Sequence, residues 1–160
     1  MKKQQKGFSL IELLIVVAII LIIAAIAIPN LLRSKMAANE ASAVASLRTY
    51  NTALVSYSTT YGTDPSTDLS ALGPSATPSS TAADLVDSLL GIAAPQKSGY
   101  KFSYSPGAAN AGITSSYGIW ANPTTYNSTG QRYFYTDQSG VIRQTTNGTP
   151  ATASSSPIGG

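Results

Sequence analysis

The 160-residue chain contains no cysteine and no histidine. Disulfide staples, thiolate metal sites and imidazole catalysis are therefore excluded. Charge is scarce too: Asp, Glu, Lys and Arg together make up 11% of the residues, and only seven side chains are acidic. The formal net charge of +3 suggests a basic protein, but Lys2, Lys3 and Lys6 sit at the extreme N-terminus, and the remaining basic residues balance the acidic ones. That balance gives no general electrostatic case for nucleic-acid binding. Phosphate loops, nucleophile elbows and clustered metal ligands are also missing. Asp64, Asp68, Asp84, Asp87 and Asp137 are scattered through turn-like contexts, where short carboxylates act as caps. Asp84 and Asp87 come nearest to a catalytic pair, with no histidine or charged neighbour to make them one. Neither enzymatic activity nor a cofactor or metal is expected.

What the chain has in quantity is an apolar run near its start. From Leu13 to Ile28 there is no charged or strongly polar residue, and Phe8 to Ile28 is close to the ~20 residues that a helix needs to span hydrocarbon. The leader "MKKQQKG" holds its positive charge on the cytoplasmic side. A secretory signal peptide would have a shorter apolar core ending at a small-residue cleavage site. Ala25 and Ala27 have that spacing, but Glu12 inside the apolar region argues against the reading. An uncompensated carboxylate at membrane depth costs roughly 2.5–3.5 kcal/mol even on mild scales.

A basic leader ending in Gly7, then Phe8, Ser9 and Glu12, then a long apolar run closed by Pro29, resembles the type IV pilin family and its type II secretion pseudopilin branch. The resemblance is specific over residues 1 to about 35. It continues more loosely through "NLLRSKMAANEASAVASLRTYNTALVSYSTTYG" and "YFYTDQSGVIR". It implies that a prepilin peptidase cuts the leader between Gly7 and Phe8 and that the new amino terminus of Phe8 is N-methylated. It also implies that Glu12 of one subunit neutralises the terminal amine of another during assembly. A buried carboxylate with a cationic partner is tolerable; one without is not. A second reading of the same residues is a capping box of Ser9 and Glu12, with Phe8 stapled onto Leu13, and the two can coexist. Pro29 removes a helical hydrogen bond and is expected to kink or locally melt the helix; a helix ending at the bilayer surface is the alternative.

Beyond Pro29, Val44, Leu47, Tyr50, Leu54, Tyr57 and Tyr61 recur at spacings of three and four and make one apolar face. Glu40, Ser42, Ser46, Thr49 and Thr52 are assigned to the opposite face, toward solvent or neighbours. The tyrosines of the stripe are expected in a core rather than in an electron-conducting stack. Gly62 stops the helix. Residues 62–80 read as a surface loop, followed by a short helix with Thr81 as N-cap, Leu85, Val86, Leu89 and Leu90 inward, and Gly91 at its end. "YKFSY", "SYGIWAN", "RYFYT" and "VIRQT" are four strand candidates.

The expected organisation is a leader at 1–7, a transmembrane and filament-core helix at 8–29, its amphipathic half at 30–62, a loop with a short helix at 63–98, an antiparallel sheet at 99–145 and a flexible tail at 146–160. This is an α+β, pilin-like fold: a long N-terminal helix packed on about four antiparallel strands. The tail is rich in Ser, Thr, Pro and Gly, and many family members close this end with a disulfide that this chain cannot form. Asn127-Ser-Thr and Asn147-Gly-Thr match the N-glycosylation triplet, a pattern common by chance.

The implied function is a structural subunit, the major one, of a type IV pilus: a single-pass inner-membrane precursor that polymerises into an extracellular filament serving adhesion, motility or DNA uptake. The implied partners are copies of the same chain, a prepilin peptidase and N-methyltransferase, an inner-membrane assembly platform with an assembly ATPase, and a secretin where the host has two membranes. The alternative is a pseudopilin forming a short periplasmic fibre. The major pseudopilin usually carries an acidic, tryptophan-bearing C-terminal loop that binds calcium, whereas Val141 to Gly160 contain no carboxylate side chain here.

Overall fold

The computed structural model describes residues 8–65 and 67–159. The leader, Gly7 included, lies outside the described residues. The chain divides into two compact units, Met1–Lys35 and Met36–Gly160, and a 52-residue helix, α1 (Leu10–Tyr61), supplies residues to both.

In the first unit every described side chain is exposed, Ala24 being partly covered. The exposed set is almost wholly Leu, Ile, Val and Ala, and α1 is long and apolar enough to cross a membrane. Hydrocarbon offers no partner for backbone N–H and C=O groups, so a helix is the conformation that satisfies them within the segment. Pro29 lies inside α1, which continues without a break on both sides. Since proline has no N–H, the Ala25 carbonyl goes without its usual donor.

The second unit is the α+β head. Its part of α1 buries Glu40, Ala43, Ser46, Leu47, Tyr50, Ala53, Leu54 and Tyr57, with Val44 and Tyr61 partly buried against the same core. The stripe is thus as the spacing predicts, but it is wider. Glu40 and Ser46 belong to it rather than to the opposite face, a correction explained by the partners described below.

The stripe packs on one six-stranded antiparallel meander in the order β1 (Gln96–Lys97), β2 (Tyr100–Pro106), β3 (Tyr117–Pro123), β4 (Tyr133–Asp137), β5 (Arg143–Thr145) and β6 (Ser156–Pro157). The four expected strands are β2 to β5; β1 and β6 are two-residue edges that no periodicity could have marked. Tyr100 and Phe102 of β2, Ile119 and Ala121 of β3, and Phe134 of β4 fill the core from the sheet. Tyr50 meets Phe102 edge-on at 5.6 Å, and Tyr100 lies 5.9 Å from Phe134. Such pairs add about 0.5–1.5 kcal/mol beyond the area they bury.

The segment between α1 and the sheet departs from the sequence reading. Instead of a helix over 81–91 there are turns, and the regular element is a 3-10 helix at Leu69–Leu72 with Asp68 capping the Ser70 N–H at 2.8 Å. The backbone N–H groups of Ala83, Asp84, Leu85 and Val86 donate to carbonyls of Ala71, Gly73 and Leu72 at 2.8–3.1 Å. Gly73 and Gly91 pack backbone to backbone: a Cβ on Gly91 would lie 2.2 Å from the Gly73 Cα. Gly91 is therefore a close-approach glycine, not a helix stop.

Tyrosines tie this loop region to the core. Tyr50 Oη donates to the Leu90 carbonyl at 3.0 Å, Tyr57 Oη to Ser80 at 2.6 Å and Tyr104 Oη to Pro65 at 2.7 Å. Each ring fills the apolar centre while its hydroxyl satisfies a loop carbonyl.

The C-terminal tail is not left loose. Ser156–Pro157 pairs with β5, the Ile158 N–H donates to the Ile142 carbonyl at 3.0 Å, and Arg143 Nη1 donates to the Ser155 carbonyl at 3.1 Å. Trp120 Nε1 donates to the Ala151 carbonyl at 3.0 Å, and Ala151 is fully buried. These contacts secure the chain end in a protein without cysteine.

Candidate assembly site

The N-terminal end of α1 brings three of the sequence-predicted site residues to one turn. Ser9 precedes the first helical residue, and its N–H donates to Glu12 Oε2 at 2.8 Å. This is one half of a capping box, with the carboxylate near the positive end of the helix dipole. Phe8 is 87% exposed beside it. Gly7, the fourth, is outside the described residues, and Pro29 stands in the same unit, 17 residues further along α1.

One accepted hydrogen bond does not satisfy Glu12. An ionised carboxylate offers about four lone-pair sites, and the ion pairs among the described residues are Lys97–Asp87 and Arg132–Glu40. Glu12 thus presents an acceptor on an exposed, otherwise apolar surface, with no cation paired to it among the described residues. In water this costs nothing. Within lipid or a bundle of such helices, it calls for a cationic donor from elsewhere.

Sequence reasoning missed the second carboxylate of α1. Glu40 is 7% exposed, and both oxygens are used: Oε1 accepts from the backbone N–H of Gln131 at 2.8 Å and of Arg132 at 3.1 Å, and Oε2 from Arg132 Nε at 2.7 Å. Arg132 Nη1 donates onward to Gln144 Oε1 at 3.0 Å, its guanidinium lies 5.4 Å from the Phe134 ring centre, and its carbonyl accepts from Tyr100 Oη at 2.8 Å. The cluster locks α1 to β4 and β5. A signal was available, since Glu40 lies three residues before Ala43 and seven before Leu47, on the line of the apolar stripe.

Asp68, Asp87 and Asp137 behave as local caps. Asp87 Oδ1 accepts from the N–H groups of Leu89 and Leu90, and its other oxygen pairs with Lys97 at 3.3 Å. Asp84 stands apart in a turn at φ 54°. Among the described residues no three His, Cys, Asp or Glu side chains converge as metal ligands. One open groove, about 430 Å³, is lined by Arg48, Thr49, Thr52, Ala53, Ser56 and Leu85.

Comparison with known proteins identifies the prokaryotic N-terminal methylation motif at residues 2–28. Over 38 residues the chain is 60% identical to the type IV wide pilus major component PilA4 of Thermus thermophilus, a stretch covering 24% of this chain and 29% of that protein. The likeness therefore spans under a third of the relative's length. No solved structure gives a significant match.

Proposed function

We infer that the chain is a type IV pilin, a structural subunit that polymerises through its N-terminal helix into an extracellular filament. The observation that carries this reading is the methylation motif over residues 2–28, placed at the head of a helix whose apolar side chains are all but uncovered within the subunit. The alternative, a pseudopilin, is not favoured: the relative is a pilus component, and the stretch from Val141 to Gly160 lacks the carboxylates of an acidic loop.

The mechanism follows from the anchor's chemistry. The precursor sits in the inner membrane through α1, with its leader on the cytoplasmic side. A prepilin peptidase cuts between Gly7 and Phe8 and the Phe8 amine is methylated, which leaves a cationic terminus one turn from Glu12. An apolar helix can leave lipid without loss only if other copies cover it, and the exposed faces from Leu10 to Ile28 supply that cover. Glu12 then meets the amine of another subunit, so the two charges that are costly in an apolar bundle neutralise each other. The unpaired Ala25 carbonyl at Pro29 makes the helix cheapest to unwind there. Energy and scaffolding come from an assembly ATPase and platform, with a secretin where an outer membrane must be crossed. The product is a homopolymer, with adhesion, motility or DNA uptake set by head surfaces.

The test is mass spectrometry of filaments sheared from native cells. An abundant N-terminal peptide beginning at Phe8 and heavier by about 14 Da, one methyl group, is expected. A processed chain confined to the envelope would shift the assignment to a pseudopilin or a priming subunit. Cleavage after Ala27 would overturn it.

A further inference from the structure

The stretch from Val141 to Gly160 has no carboxylate side chain, and it holds the one Asn-Gly pair of the chain, Asn147-Gly148. Both residues are exposed, in a bend between β5 and β6. Tyr126 Oη donates to the Thr146 carbonyl at 3.0 Å and holds the loop just before the pair. Asn147 Oδ1 accepts two hydrogen bonds from Thr149, from the backbone N–H at 3.2 Å and from Oγ1 at 2.7 Å. The Gly148 N–H donates no hydrogen bond among the described residues, and Gly148, at φ 78°, carries no Cβ to screen its nitrogen.

We propose that Asn147 is a site of self-modification, converting through a succinimide into aspartate or isoaspartate. The Gly148 backbone nitrogen forms a bond to Asn147 Cγ and gives up its proton; the Cγ–Nδ2 bond breaks, and Nδ2 leaves as ammonia with that proton. Water then opens either carbonyl of the five-membered ring, so the net change is water in and ammonia out. The two Thr149 donors point at the oxygen that carries negative charge in the tetrahedral intermediate, the arrangement that stabilises oxyanions in acyl transfer. The product places one carboxylate in a tail that had none. It lowers the net charge of the chain by one, on a surface loop.

The chain carries its own control. Asn127 is also exposed, at φ 61°, but it is followed by Ser128, whose N–H is engaged by the Thr125 carbonyl at 3.2 Å. The nucleophile there is tied down and screened by a side chain. Asn147 reacts and Asn127 does not.

The experiment is incubation of the detergent-solubilised full chain at mildly alkaline pH, with peptide mass spectrometry over time. Expected are a gain of about 1 Da confined to the Asn147 peptide, a matching acidic shift on isoelectric focusing, near-complete suppression in Gly148→Ala, and slower conversion in Thr149→Val. An unchanged Asn147, or an Asn127 that converts as fast, overturns the site. Conversion in Thr149→Val as fast as or faster than in the parent overturns the part given to the Thr149 donors. The result does not depend on filament assembly, so it stands or falls apart from the pilin reading.

Discussion

The two glutamates of α1 carry the same chemistry into opposite settings. Glu40 has all it needs inside its own subunit: two backbone N–H groups and a guanidinium, at 2.7–3.1 Å. Among the described residues Glu12 has one backbone N–H and no cation. The first is a finished structural joint. The second is an acceptor with sites to spare on an exposed apolar surface, which the proposed assembly would cover and complete from another subunit. A carboxylate whose partners are all intramolecular reports on folding; on the proposed function, the one left short is the one that reports on assembly.

Replacing each glutamate should separate the two roles. Glu12→Val is expected to abolish filaments while leaving leader processing and the thermal unfolding of the head unchanged, read by electron microscopy of sheared material and by Trp120 fluorescence. Wild-type filament yields from this variant would remove Glu12 from assembly. Glu40→Ala should do the reverse at the level of the subunit. Removing Glu40 takes the acceptor from two backbone N–H groups and from a guanidinium that is 37% exposed, a loss of about 1–3 kcal/mol, and denaturant unfolding of the detergent-solubilised chain should show it. The paired change Glu40→Leu with Arg132→Met should recover only the part due to the guanidinium, because the Gln131 and Arg132 N–H groups still lack their acceptor. Equal stability of Glu40→Ala and the parent would mean that the pair is idle.

The anchor was far more legible in the sequence than the head, for a physical reason. A membrane-length apolar run, a basic leader and an acidic residue at the third helical position are local patterns, and each is set by the lipid environment rather than by distant residues. In the head, the local periodicities of "YKFSY" and "RYFYT" gave β2 and β4. The helix expected at 81–91 failed because long-range partners won: Leu90 is held by Tyr50 Oη, and residues 83–86 spend their N–H groups on the 71–73 backbone. Glu40 was misplaced because a charge on an apolar stripe makes sense only once Arg132, far away in sequence, is known to face it. The tail was read from composition alone. What holds it are the two-residue pairing of β6 with β5 and single hydrogen bonds from Trp120, Arg143 and the Ile158 N–H, which leave no mark on composition.

Those bonds extend the comparison to the chain end. Trp120→Phe keeps an aromatic ring beside Tyr135, 5.2 Å away in the parent, but loses the Nε1 donor to Ala151. A loss of about 1 kcal/mol is expected, together with faster proteolytic clipping within residues 146–158. Clipping at the parental rate would mean that β6 pairing alone secures the tail.

The smallest expected effect concerns a carboxylate of a third kind, buried without an ion pair among the described residues. Asp64 is 5% exposed, and burial raises its carboxyl above the usual range. Its charge also contributes, after burial, to holding the Tyr104 phenol high and to raising Tyr117 to about 12. A carboxyl whose folded pKa is raised binds its proton more tightly in the native state. Its stabilising contribution is complete below the unfolded carboxylate range and is lost as pH rises through the raised folded value. The head should therefore gain at neutral pH from Asp64→Asn, which keeps the shape and removes the charge, and that gain should shrink as both proteins are taken into acid. Thermal unfolding of the two chains across pH 3–8 reads the difference directly. A variant less stable than the parent at neutral pH would show that Asp64 keeps its charge by hydrogen bonding, and would place it with Glu40 rather than opposite to it.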